Sequence, residues 1–110
     1  MDMKNTQRLR EKLKKLEGAF RQYSLPGKDP SALRTVKQLC IDLKGEDGYI
    51  SEKADRISRL AEIYYSSAYL RHPGGESDLM SEMSFGLTNS ISRQICHLER
   101  LRETQEPNSR

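Results

Sequence analysis

Leu9, Leu13, Leu16, Phe20 and Tyr23 follow one another at steps of four, three, four and three. That spacing keeps side chains on one narrow stripe of a helix, with Lys and Arg covering most of the rest of the surface. It predicts a first helix over 4–23, stopped by Pro26 and Gly27. A second helix is predicted over 30–44. Asp29 can accept from the open N–H groups of its first turn, and Pro30 stands where a missing N–H costs nothing. Leu33, Val36, Leu39, Cys40 and Leu43 form its inner face, and Gly45 is a natural left-handed terminator.

Residues 51–70 carry the third pattern, with Ser51 as the expected N-cap. Ala54, Ile57, Ala61, Tyr64 and Ala68 keep the helical spacing. Leu60, Ile63, Tyr65, Tyr69 and Leu70 then widen the apolar arc past half the circumference, leaving Asp55, Arg59, Glu62 and Ser66 as the polar strip. A helix of this kind packs on more than one side. The stretch RHPGGESD breaks the chain. The fourth helix is expected over 77–102, with Leu79, Met80, Met83, Leu87, Ile91, Ile95, Leu98 and Leu101 on one face. Their common phase across Gly86 favours one long helix, and Phe85 and Cys96 point the other way. Residues 104–110 read as a disordered tail. No segment alternates with a period of two. The expected fold is therefore all-α: one domain over 1–103, a small four-helix bundle, mostly antiparallel because its connections are short.

Composition sharpens this picture. Of 110 residues, 35% are hydrophobic and 32% charged, with no Trp and two Phe. A globular domain ordinarily carries more apolar residues. Either the bundle is narrow or part of its apolar surface is covered by a partner or a second copy. The formal charge of +3 is too small to demand a polyanion. It is unevenly placed, however, since residues 1–28 hold eight Lys or Arg against three Asp or Glu. No apolar run is long enough to span a membrane, and the charged start lacks a signal core, so a cytoplasmic protein with no membrane partner is expected. Cys40 and Cys96 lack metal-site spacing and are expected to be reduced.

Candidate chemistry is sparse. KGEDGYIS, residues 44–51, resembles the middle of a calcium loop. With Gly48 at the sixth position, though, Leu43, Gly45 and Ala54 fall at positions that need side-chain oxygens. The stretch is a helix–helix corner. Asp47 and Gly48 turn the chain there, Ile50 tucks under the bundle and Ser51 caps the next helix. Arg71, His72, Gly74 and Gly75 are a candidate anion loop, because glycines let N–H groups converge. His97 lies beside Cys96, but adjacent helix residues diverge by about 100°, so the two cannot chelate a metal locally. Metalloprotease, di-iron, Cys-x-x-Cys and dinucleotide motifs are all missing. Neither enzyme activity nor a cofactor or metal is expected.

Two binding readings remain. Arg8, Arg10, Lys12, Lys14 and Lys15, with Arg21, are candidate phosphate contacts for nucleic acid. They surround most of the first helix, however, are interrupted by Glu11 and Glu17, and have no interleaved aromatics to stack on bases. The favoured expectation is a protein–protein role, as adaptor or regulator, through Tyr64, Tyr65, Tyr69 and Phe85. Tyrosine suits interfaces because it buries area while keeping a wet end.

Overall fold

The computed structural model describes residues 3–45, 47–66 and 76–105, with side chains over 6–45, 47–66 and 79–101. Helix α1 spans Met3–Gln22, α2 Pro30–Leu43 and α3 Gly48–Tyr64. Then come α4 over Glu76–Ser81, a π-helical segment over Glu82–Leu87, and α5 over Thr88–Gln105. Ser81 and Thr88 both hold right-handed helical dihedrals. These last three elements are thus one continuous rod, the fourth helix of the bundle. The predicted all-α four-helix architecture is what the chain adopts. Helix α5 runs on through Gln105, so the helix takes Thr104 and Gln105 from the expected tail; 106–110 lie outside the described residues.

In α1 the predicted stripe is the buried one. Leu9, Leu13, Leu16 and Phe20 are core residues, joined by Thr6 and Ala19. Gly27, at φ +114°, takes the chain out of the helix and into the turn before α2. There Asp29 caps as expected, its Oδ1 accepting from Ala32 N at 3.1 Å, with Pro30 as the first helical residue. Gly45, at φ +97°, turns the chain after Leu43.

The start of α3 differs from expectation. Its N-cap is Asp47, not Ser51: Asp47 Oδ2 accepts from Ile50 N at 3.1 Å, and Gly48 is already helical. Ser51 serves the corner in another way, since its Oγ accepts from Gly45 N at 2.9 Å. Ile50 is fully buried beneath the corner, as predicted. The end of α3 also differs. The helix closes at Tyr64, not Leu70; Tyr65 leaves helical geometry and Ser66 Oγ donates to Ile63 O. The physical reason is competition for the last carbonyls. Gly27 N donates to Tyr64 O at 2.9 Å and Asp29 N to Tyr65 O at 3.2 Å, so the α1–α2 turn takes acceptors that a longer helix would have used itself.

The fourth helix explains how Met83, Leu87, Ile91 and Ile95 can all be buried. They recur every four residues, and an α-helix drifts by about 40° at each such step. Turns closed by i→i+5 bonds hold more residues, so the π-helical stretch draws the row back into phase. Hydroxyls serve the altered carbonyls: Ser84 Oγ donates to Met80 O at 2.8 Å, Thr88 Oγ1 to Ser84 O at 2.6 Å and Ser90 Oγ to Gly86 O at 3.0 Å. Leu101, predicted on the inner face, is exposed.

Helix α1 packs between α2 and α5, and α3 packs between α2 and the fourth helix. One apolar cluster runs through the centre, from Leu9 and Leu13 through Val36, Leu43 and Ile57 to Ile91 and Ile95. The molecule is narrow, 58 × 23 × 20 Å, which accounts for much of its high charged fraction as solvated face. Ion pairs lace neighbouring helices: Arg10 with Glu99, Lys37 with Glu62, Lys44 with Asp55 and Arg56 with Glu82. On α3 itself Arg59 faces Asp55 at 3.9 Å.

A candidate docking groove beside Phe85

The four aromatic candidates separate. Tyr64 and Tyr65 are each only 2% exposed and belong to the core. Their rings meet edge to face at 5.0 Å, and their hydroxyls donate to Ser24 O at 2.5 Å and Tyr23 O at 2.7 Å. The expectation that they line a docking face is corrected: the wet end of each ring meets a backbone carbonyl, and the pair latches the α1–α2 turn onto the end of α3. Burial, with the neighbouring Tyr64 ring second, pushes the Tyr65 phenol well above its ordinary range. Tyr69 lies outside the described residues.

Phe85 points away from the buried row, as its helical phase predicts. It is 67% exposed on the outer side of the π-helical segment. Beside it a groove of about 750 Å³ lies between the end of α1 and the fourth helix. Glu17, Phe20, Arg21 and Ser24 form one wall; Met80, Ser84, Phe85 and Asn89 form the other. The apolar content comes from Phe20, Met80 and Phe85. Glu17 and Arg21 stand one helical turn apart on α1 and supply one charge of each sign. Leu25, next in the chain to Ser24, is also exposed.

Of the groove's apolar residues only Phe85 was legible as a surface feature in the sequence. Phe20 and Met80 read as core, and each does carry a buried or half-buried side chain. The one available signal was the four-residue repeat from Met83 to Ile95, which an unbroken α-helix cannot hold on one face.

The basic candidates on α1 are divided by the packing. Arg10 grips Glu99 through two 2.9 Å hydrogen bonds and donates to Cys96 Sγ at 3.1 Å. This contact holds the Glu99 carboxyl below its usual range and the guanidinium firmly charged. Lys12 Nζ donates to Asp42 O at 2.8 Å. Arg8, Lys14 and Lys15 remain exposed. Lys14 and Lys15 diverge by about 100°, however, so they do not share a stripe with one another. On α3, Arg56 is engaged by Glu82 at 2.7 Å.

At the corner Asp47 also accepts from Gln94 Nε2 at 3.2 Å, which ties the turn to α5. Its carboxylate is thus used in structure, and no cluster of three metal-ligating side chains exists among the described residues. The candidate anion loop, Arg71, His72, Gly74 and Gly75, lies outside the described residues. Cys40 is buried and its thiol is pushed up to about 12, by burial first and by nearby Asp55 second. Cys96 is half-exposed and free. Among the described residues no helix is long and apolar enough to cross a membrane. Compared with known proteins, the chain matches no family model, no curated protein sequence and no solved structure.

Proposed function

We propose that this chain is a small, non-enzymatic, cytoplasmic helical-bundle protein that acts by protein–protein contact, as an adaptor or regulator, through the groove beside Phe85. The observation that carries the reading is the exposed Phe85 on the lip of a partly apolar groove. A large aromatic side chain in water gives up roughly 1.5–3 kcal/mol of burial that a partner can recover. π-helical turns inside α-helices occur frequently at functional sites.

The groove's composition supports a binding role over a catalytic one. Its hydroxyls belong to Ser24 and Ser84, and Ser84 already donates to Met80 O. Neither His nor Cys lines it, so it lacks the imidazole and thiol on which most nucleophilic sites are built. The nucleic-acid reading is weaker, because Arg10 and Lys12 are engaged within the bundle.

Co-elution of purified complexes tests the proposal. Phe85→Asp is expected to abolish partner binding with little change in helicity. Ile41→Asp, on an equally open face of α2 (58% exposed), is expected to leave binding intact. Equal loss in both variants, or in neither, would overturn the assignment of this groove.

A further inference from the structure

We infer that the occupant of the groove is a second copy of this chain, in a two-fold dimer in which each Phe85 closes the other's groove. The inference rests on the docking reading and names its partner. Two features select a second copy. The first is charge. Glu17 and Arg21 both line the groove one turn apart, and neither enters an ion pair among the described residues. A two-fold axis passing between them sets Glu17 of each copy against Arg21 of the other. The two α1 helices then run antiparallel, and both charges are satisfied by one symmetry operation.

The second feature is shape. A two-fold interface needs a surface that carries both projection and recess, because residue i meets j and j meets i. Here the projection is Phe85 and the recess, walled by Phe20 and Met80, is directly beside it. The patch has equal charge of both signs, so two copies approach it without the repulsion that a basic face would bring. The eight residues that line the groove are fewer than the roughly 20–30 a side of a typical stable interface, so the dimer is expected to depend on concentration.

Charge exchange on the full chain tests this directly. Sedimentation equilibrium over roughly 5 µM to 1 mM spans the affinities open to a small interface. The wild-type mass is expected to rise from 12.7 kDa towards twice that value. Glu17→Arg alone sets Arg against Arg across the axis, and Arg21→Glu alone sets Glu against Glu. Each is expected to weaken association tenfold or more. An equimolar mixture of the two single variants re-creates both opposite-charge contacts and is expected to dimerise again, as is the E17R/R21E double variant. A wild type that stays at 12.7 kDa throughout would overturn the inference. So would a dimer that ignores both charge reversals, or a mixture that fails to recover. Should either single variant lose helicity, Phe85→Asp takes its place, with loss of the dimer expected and a retained dimer counting against the inference. A monomer whose groove still binds a different protein would defeat the second copy while leaving the docking reading intact. A monomer that binds nothing there would defeat both.

Discussion

Tyr64 and Tyr65 show how one residue type can be read two ways. Each was legible as an amphipathic ring with a wet end. What the sequence does not carry is whether that end meets water or the carbonyls of Tyr23 and Ser24, some forty residues earlier in the chain. Tyr65→Phe removes a hydroxyl from a buried acceptor and is expected to destabilise the fold by about 1–2 kcal/mol, read from the urea midpoint. An unchanged midpoint would break the latch description. The same residue predicts alkaline behaviour. Its folded pKa is raised, so its contribution is complete below the ordinary tyrosine value and is lost as pH climbs beyond it. Stability is therefore expected to fall above about pH 10, and to fall less in Tyr65→Phe. Cysteine differs between its two sites as well. In the native protein a thiol reagent is expected to label Cys96 readily and Cys40 only on unfolding, because Cys40 is buried with its thiol pushed up to about 12. Fast labelling of both would contradict the buried site.

Elements were legible where the local pattern alone decides them. The α1 stripe, the Asp29–Pro30 start of α2 and the turn at Gly45 needed no knowledge of the rest of the chain. The boundaries of α3 did, because Asp47 and Ser51 are equally able to cap. Only the corner's own hydrogen bonds give the cap to Asp47 and direct Ser51 towards Gly45. The π-helical segment was hidden for a similar reason: no residue type marks it, and its signature is the mismatch between a four-residue repeat and a 3.6-residue turn. That mismatch yields a prediction. Gly86 is exposed, has ordinary dihedrals, and a methyl group added there meets nothing within 4 Å. Gly86→Ala is expected to stabilise by about 0.5–1 kcal/mol in chemical denaturation. Deleting Gly86 altogether shortens the first step of the apolar row from four to three. It should let the segment relax to α-helix at a smaller cost than deleting Arg93, which would turn every later core residue out of phase. A more costly Gly86 deletion would mean that the π-helical turn does not set the phase.

At the scale of the whole molecule, the low apolar content resolves into a narrow cross-section, with a groove open at the junction of α1 and the fourth helix. The long-range charge pairs arise from the same narrowness, since every helix has flanks close to its neighbours' flanks. Arg10 and Glu99 are the best connected of these pairs. Glu99 is held below its usual range by the guanidinium, so the pair's contribution is present at neutral pH and lost as pH falls through that lowered value. Both side chains are about a third exposed, which keeps the effect below about 1 kcal/mol. Wild type is expected to exceed Glu99→Gln in stability at pH 7 and to match it in acid; a gap that persists in acid would assign it to packing. The interface reading stands or falls on Phe85. A photoreactive phenylalanine analogue placed at position 85, and at position 41 as control, would be irradiated in cells that express the chain. A protein adduct at position 85 and not at 41 is the expected result, and its mass separates a second copy from a different partner. A bare, uncrosslinked Phe85 position, or equal adducts at both sites, would contradict the assignment of the groove as a docking surface.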